Sequence, residues 1–153
     1  MLRAELGEFS SIVCFKAAIT GMEEALGEKA TAIALIAAGR SRGKNLAKEL
    51  SLTGVSIEWA VIADKMDFAL GVNGTRLCKI QNIVEESDVI KVSALETLAS
   101  ANEPEGSARK CTYTLGAVWG ALEEITGKRL KGTHTESVLR GGSSDVFEFA
   151  PLV

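Results

Sequence analysis

CTYTLGAVWGALEEITG, the stretch from Cys111 to Gly127, decides the fold of this chain. Its larger apolar residues recur at the spacing of an α-helix and form one broad apolar face. They are Leu115, Val118, Trp119, Leu122 and Ile125. Gly116 and Gly120 lie four residues apart on the neighbouring face, where the lack of side chains allows another backbone to approach closely. Gly127 suits the left-handed conformation that ends many helices. The stretch therefore predicts a central helix over Cys111–Thr126.

The residues after this helix predict a β-hairpin. Residues 130–138 alternate between two sides, as is typical of a strand. Gly141 and Gly142 provide a tight turn, and residues 145–149 return as the strand Asp-Val-Phe-Glu-Phe. The two strands are expected to pair in antiparallel fashion.

Three helices and two strands are predicted before the central helix. The helices are 9–26, capped by Ser10 or Ser11, 28–50 and 56–70, and the strands are 76–84 and 89–95, joined by a turn at 85–88. Gly39 and Gly43 lie four apart in the second helix, which predicts close contact with another helix. The third helix is apolar on two sides and is therefore expected to be buried or to lie at an interface. This order predicts an α+β fold, with four helices packed on a small antiparallel four-stranded sheet.

Length and composition narrow the class of protein. With 153 residues, 46% of them apolar and 24% charged, the chain is expected to form one domain over residues 1–153. A net charge of −3 without a basic stripe argues against nucleic-acid binding. The longest apolar runs are too short to span a bilayer, so no membrane insertion is expected.

The cysteines predict the compartment and bear on metal binding. Cys14, Cys78 and Cys111 cannot all pair with one another, and free thiols are typical of a reducing, cytoplasmic protein. With His134 they could form a Cys3His zinc site. The sequence offers no closely spaced chelating pair, however, and buried cysteines commonly act as small hydrophobic residues. We therefore expect no metal and no other cofactor, and we expect His134 at the surface or at the rim of a pocket.

Several segments resemble one family. The central helix, with its spaced glycines, its tryptophan and the closing Gly127, resembles the final helix of the 4-vinyl-reductase-type small-molecule (hydrocarbon) binding domain. The tail from Glu136 to Phe149 resembles that family's last hairpin. Residues 38–43, AGRSRG, are similar to its early helix, and the order of elements matches along most of the chain. Subunits of the transport protein particle, TRAPP, share this fold.

The resemblance implies a TRAPP-like ligand-binding fold that dimerises and holds an apolar or aromatic small molecule. Family members occur in regulators that sense aromatic compounds and in proteins linked to tetrapyrrole synthesis. Many carry cysteines in the last hairpin that have been suspected as metal ligands. This chain has none there and keeps only Cys111, at the start of the helix.

The expected function is a homodimeric sensor or carrier for an apolar or aromatic ligand, rather than an enzyme. One alternative is a ligand-free interaction adaptor that resembles TRAPP subunits. Another is an accessory protein of tetrapyrrole metabolism. An enzyme of that metabolism would need a hydride source, and the chain lacks a Gly-x-Gly-x-x-Gly nucleotide motif.

Five aromatic residues are the candidates for lining a ligand pocket. They are Phe15, Trp59, Phe68, Tyr113 and Trp119. Such a pocket needs apolar walls and a few converging polar groups, which Tyr113, Thr112, Arg40 and His134 could supply. The alternative is that the aromatic side chains interlock as core and that the glycines admit a neighbouring helix. An enclosed cavity would favour the ligand, and a packed core with an exposed groove would favour the adaptor.

Overall fold

The computed structural model of this protein describes residues 3–153. Within that range lie four α-helices and four β-strands, in the order that the sequence predicts. They are α1 (Ile12–Leu26), α2 (Glu28–Glu49), α3 (Trp59–Leu70), β1 (Lys79–Glu86), β2 (Val89–Leu95), α4 (Thr112–Thr126), β3 (Leu130–Glu136), a 3-10 turn (Val138–Arg140) and β4 (Asp145–Pro151). The predicted α+β class is confirmed.

The four strands form one antiparallel sheet in the spatial order β1-β2-β4-β3. Strands β1 and β2 form one hairpin and β3 and β4 form another, and the two are joined where β2 pairs with β4, with Val92 opposite Phe147. Alternate residues of β2 are buried, and both Phe147 and Phe149 of β4 are fully buried. The sheet therefore has one strongly apolar face, as expected of a sheet covered by helices.

Several element boundaries differ from the prediction: α3 begins at Trp59 and β1 at Lys79, both later than expected, and two further differences have local reasons. The first helix begins at Ile12, because the Ser11 hydroxyl accepts a hydrogen bond of 3.1 Å from the amide of Val13 and caps it there. Strand β1 continues through Glu86, so that the turn contains only Ser87 and Asp88. Their φ angles of 51° and 65° are both left-handed, which is the geometry of a tight two-residue hairpin turn.

Glycines set the distance between α2 and α4. A Cβ atom at Gly116 would lie 2.5 Å from the carbonyl oxygen of Ile36, and one at Gly120 would collide with the carbonyl of Arg40. Gly39 and Gly43 face α4 in the same way, against its backbone. The predicted close helix contact is confirmed. The glycines of α4 therefore admit α2 and leave no space for a ligand beside them.

The third helix has one buried and one exposed apolar side. Ile62 and Met66 are buried, and α3 packs on β1. Val61 and Phe68 lie on the outer side, where Phe68 is 63% exposed. None of the helices in residues 3–153 is long and apolar enough to cross a membrane.

Candidate functional site

A partly open groove of about 980 Å³ lies between the first half of α1 and the rest of the molecule. Its walls come from the segment before α1, from α1 and α2, from the turn between α3 and β1, and from α4. The lining residues are Phe9, Ser10, Ser11, Ile12, Cys14, Phe15, Ala18, Arg42, Leu70, Thr75, Arg76, Leu77, Leu98 and Tyr113. This volume is at the upper end of what small-molecule sites provide.

The groove has an apolar floor and one aromatic pair. Leu70, Leu77 and Leu98 are buried core residues that also line the groove. The ring of Phe15 stands edge-on against Tyr113, with 5.3 Å between the centroids and an angle of 85° between the planes. Edge-to-face contacts of this kind are favourable and leave ring faces free for other apolar groups. This arrangement can hold an apolar molecule.

The charged residues in the lining are two arginines. The guanidinium of Arg42 is 3.1 Å from the carboxylate of Glu49 on the same helix. The guanidinium of Arg76 lies over the ring of Phe9, 5.8 Å from its centroid. The lining contains no acidic residue, so its polar character is cationic.

Helix α1 is fastened to the loop before α4 by a cluster of ion pairs. The Lys16 ammonium is 2.6 Å from Glu103 and also donates to the carbonyl of Ala101 at 2.9 Å. Arg109 bridges Glu103 and Glu23, the latter at 2.9 Å. The hydrogen bond from Lys16 is the main cause that lowers the pKa of Glu103, with help from Arg109 and against the effect of burial. These pairs hold α1 in place beside the groove, through Lys16 in its first half and Glu23 in its last turn.

The structure brings together two of the five predicted ligand residues. Phe15 and Tyr113 are the aromatic pair of the groove. Trp59 lies elsewhere and donates from its indole N–H to Glu85 at 2.9 Å. Phe68 points outward from α3. A role for these two residues in binding a ligand therefore stays a prediction without support from the groove geometry.

Trp119 is part of the packing between α4 and the sheet. Its indole N–H donates to the carbonyl of Leu130 at 3.0 Å, and its ring contacts Phe149 at a centroid distance of 6.3 Å. The guanidinium of Arg40 lies 4.7 Å from the centroid of the Trp119 ring. Neither Trp119 nor Arg40 lines the groove.

Glu123 is buried beside this tryptophan. Burial disfavours the charged carboxylate, but hydrogen bonds from Arg40, at 2.7 Å, and from the Leu130 amide outweigh burial and lower the pKa of Glu123. The adjacent pair Glu123-Glu124 is most easily interpreted from sequence as a solvated helix face, and for Glu123 that interpretation is wrong. The buried carboxylate of Glu123 is stabilised because the Arg40 guanidinium and the Leu130 amide donate hydrogen bonds to it.

A second buried polar cluster lies where α4 meets the last hairpin. The imidazole Nε2 of His134 is 3.0 Å from Oδ1 of Asp145, and the hydroxyl of Thr97 donates to Oδ2 at 3.3 Å. The thiol of Cys111 lies 3.3 Å from the same hydroxyl. The side chain of His134 is only 6% exposed, so its predicted place at the surface or a pocket rim is wrong. Strand β3 directs it inward beside a carboxylate.

Within residues 3–153, Cys111, His134 and Asp145 form a group that could hold a metal ion, because one donor atom from each lies within 4.8 Å of the others. Two observations count against structural zinc. The set has three donors where such sites use four, and both oxygens of Asp145 already accept hydrogen bonds. Burial raises the pKa of Cys111 to about 12.

The metal expectation is open to a direct check. We predict that elemental analysis of the purified protein finds no stoichiometric zinc. One zinc per chain that is lost on Cys111→Ser would contradict this prediction. From the sequence, Cys111 and His134 were set in one candidate site, with Cys14 and Cys78, but Asp145 was missed, because no short spacing links the three residues that the fold brings together.

Comparisons with known proteins identify the fold. No family model matches the sequence, and no curated protein does so either. Solved structures match most of the chain, and three of them illustrate the fold. The phenol-responsive sensory domain of the transcription activator PoxR, with phenol, has 12% identity and a TM-score of 0.70 over 94% of this chain and 76% of that one.

The other two structures cover similar shares. Subunit 3 of the trafficking protein particle complex from Naegleria fowleri, covalently bound to palmitic acid, has 16% identity and a TM-score of 0.62 over 93% of both chains. A vinyl-4-reductase family protein from Methanocaldococcus jannaschii has 19% identity and a TM-score of 0.54 over 97% of this chain and 86% of that one. The resemblance to these two groups is therefore confirmed as a shared fold.

Proposed function

We propose that this chain binds an apolar or aromatic small molecule in the groove between α1 and the body, and that it acts as a homodimeric sensor or carrier in the cytoplasm. The observation that carries this proposal is the groove of about 980 Å³ with a leucine floor and the Phe15–Tyr113 pair. Two proteins of the same fold have been seen with small molecules, one with phenol and one with palmitic acid. Three free cysteines fit a reducing compartment.

The proposed homodimer rests on apolar surface that the monomer leaves uncovered. Ile57, Val61, Phe68 and Val72 follow the outer side of α3 and its flanking residues, and each is at least 44% exposed. On α2, Ile33 is 64% exposed beside a run of alanines. Large apolar side chains left exposed along one side of a helix are typical of protein contacts. We propose that α2 and α3 supply the dimer interface.

A second candidate function is the ligand-free adaptor. The observation that favours it is the shape of the site, because the core beneath the groove is closely packed and the groove itself is open along one side. An adaptor would use the same apolar wall to hold a segment of another protein. The two functions differ in whether the protein binds a small molecule in the absence of a protein partner.

A neutral fluorescent probe tests the proposal. We expect N-phenyl-1-naphthylamine, an apolar aromatic compound, to bind the purified protein with a rise in its fluorescence. Ala18 and Ala17 are both exposed residues of α1, but only Ala18 lines the groove. Ala18→Trp should therefore fill the groove and weaken binding by at least about tenfold, whereas Ala17→Trp is the matched control.

The outcomes separate the two candidates. Retained binding in the Ala17→Trp protein, with lost binding in the Ala18→Trp protein, supports a ligand in this groove. No response of the unchanged protein, or an equal loss in both variants, would contradict it and favour the adaptor.

A further inference from the structure

The groove is positively charged in a protein that is negatively charged as a whole. The chain has 20 acidic and 17 basic residues, excluding the single histidine. The groove lining nevertheless contains two arginines and no aspartate or glutamate. A binding site of uniform sign selects ligands of the opposite sign.

The two arginines differ in how much of their charge is available. Both carboxylate oxygens of Glu49 lie 3.1 Å from Nη1 of Arg42, so that charge is largely balanced within α2. The guanidinium of Arg76 lies 5.8 Å from the centroid of the Phe9 ring, and within residues 3–153 it has no carboxylate partner and no hydrogen bond. Five N–H donors of one side chain are therefore available at the groove.

The backbone fixes the position from which Arg76 projects. Its φ angle of 57° is left-handed, which is uncommon for a residue other than glycine. The Arg76 amide donates to the carbonyl of Gly71 at 3.1 Å, and the next amide, of Leu77, donates to Leu70 at 2.8 Å. The turn after α3 is thus closed by hydrogen bonds on both sides. Leu77, the neighbour of Arg76, is part of the apolar floor.

We propose that the ligand of this groove is an anionic amphiphile, with an apolar ring or chain against the floor and a carboxylate or similar head group on Arg76. This proposal rests on the proposed function, since it specifies the ligand class of the same site. A planar guanidinium pairs with a carboxylate through two parallel hydrogen bonds. The guanidinium lies over the ring of Phe9, and the leucines and the Phe15–Tyr113 pair take the apolar part.

Two probes that share an aromatic skeleton test the head group. N-phenyl-1-naphthylamine is neutral, and 1-anilinonaphthalene-8-sulfonate adds one sulfonate. We expect the unchanged protein to bind the sulfonate at least about tenfold more tightly than the neutral probe, which corresponds to one charge-assisted contact. This preference should shrink between 0.05 M and 1 M salt because the groove is open to water.

Variants assign that preference to one residue. Arg76→Gln should abolish the preference for the sulfonate over the neutral probe. Arg129→Gln removes the same charge at an exposed position outside the groove and should keep that preference. Arg76→Asn, with a side chain that tolerates the left-handed backbone, gives the same comparison if the glutamine variant does not fold.

Competition experiments distinguish an anionic ligand with an alkyl chain from one with an aromatic ring. Dodecanoate should displace the probe better than dodecan-1-ol does, and 1-naphthoate should displace it better than 1-naphthol does. The larger of the two carboxylate effects shows whether a chain or a ring fits the floor.

Failure of the head-group proposal can be told apart from failure of the proposed function. Equal affinity for both probes, or a preference that survives Arg76→Gln, overturns the head-group proposal while leaving the groove as a neutral apolar site. If neither probe binds the unchanged protein, the proposed function itself is contradicted.

Discussion

Gly43 illustrates at the scale of one residue how the sequence specifies packing. A Cβ atom at this position would collide with the carbonyl of Ala117 and lie 2.7 Å from the amide nitrogen of Ala121. Both are backbone atoms of α4, so α2 could accept a side chain there only by moving away.

Gly43→Ala should therefore lower the free energy of unfolding by about 1–3 kcal/mol, as overpacking does. Gly21→Ala in α1 is the matched control, because nothing lies within 4 Å of a Cβ atom there. That control should raise stability by roughly 0.5–1 kcal/mol through helix propensity. Urea unfolding of both variants checks the pair, and equal stability of the two would contradict the close packing.

The carboxyl group of Asp145 makes the stability of the folded protein depend on pH. Burial raises the pKa of this carboxyl, but the hydrogen bond and charge of His134, with Thr97 and the Val138 amide, outweigh burial and lower it. The folded-state pKa therefore lies below that of the unfolded chain, about 3.9. The stability that Asp145 contributes is present above that value and is lost as pH falls through the folded-state pKa.

We expect the melting temperature to fall steeply below pH 4, and Asp145→Asn to flatten that part of the profile. Glu123 and Glu103 also have lowered pKa values and add to the loss in the same direction, so the profile of the variant should be flatter but not flat. Calorimetry between pH 7 and pH 2.5 measures both profiles. Parallel profiles would show that Asp145 does not carry this linkage.

Patterns in the sequence predicted well where a helix packs closely, and poorly which residues a buried polar side chain contacts. Gly39, Gly43, Gly116 and Gly120 were expected to admit a helix, and they do. His134 and Glu123 were expected near solvent, yet both side chains are buried, His134 beside Asp145 and Glu123 beside Arg40. Those partners come from other elements, so periodicity within one element does not contain them.

At the scale of elements, α1 is the least integrated helix. One residue of α1, Ile19, is buried, and its first half forms a wall of the groove. Its position depends on Lys16, which reaches the loop before α4, and on the Glu23–Arg109 pair. Apolar spacing and the cap predicted that this helix forms. They do not predict where it packs, because it is held by ion pairs between residues more than 80 positions apart in the sequence.

Lys16→Gln should loosen α1 without unfolding the molecule. We expect faster amide hydrogen exchange in α1, by up to about fivefold, since partly exposed ion pairs contribute about 1 kcal/mol or less. Exchange in α4, which packs on α2 and the sheet, should not change. Lys29→Gln removes a charge from an exposed position of α2 and is the control. Unaltered exchange in α1 would show that the Lys16 contacts do not fasten this helix.

The whole molecule leaves the outer side of α3 uncovered, and this underlies the proposed homodimer. Phe68→Glu should convert the dimer to a monomer at micromolar concentration, because a carboxylate cannot be buried unpaired in an apolar interface. Val84→Glu places the same charge on an exposed apolar position of β1 and should not affect the mass. Light scattering measures both. A monomer mass for the unchanged protein would refute the homodimer.

The overall architecture was more predictable than the site. Four helices and four strands followed from apolar periodicity, caps and glycine turns, whereas only Phe15 and Tyr113 of the five aromatic candidates meet in the groove. An aromatic residue at helical spacing faces either the core, as Trp119 does, or an outer surface, as Phe68 does. Which of these holds depends on the neighbouring elements.

The reactivity of Cys14 tests the central claim most directly. Cys14 is exposed and lines the groove, whereas Cys78 and Cys111 are buried thiols with pKa values raised to about 12. N-ethylmaleimide should therefore modify one site per chain, and Cys14→Ser should abolish the reaction. With saturating N-phenyl-1-naphthylamine, we predict that mass spectrometry records modification of Cys14 slowed by at least about tenfold. Binding of the probe with an unchanged rate would place the ligand elsewhere and contradict the groove as the binding site.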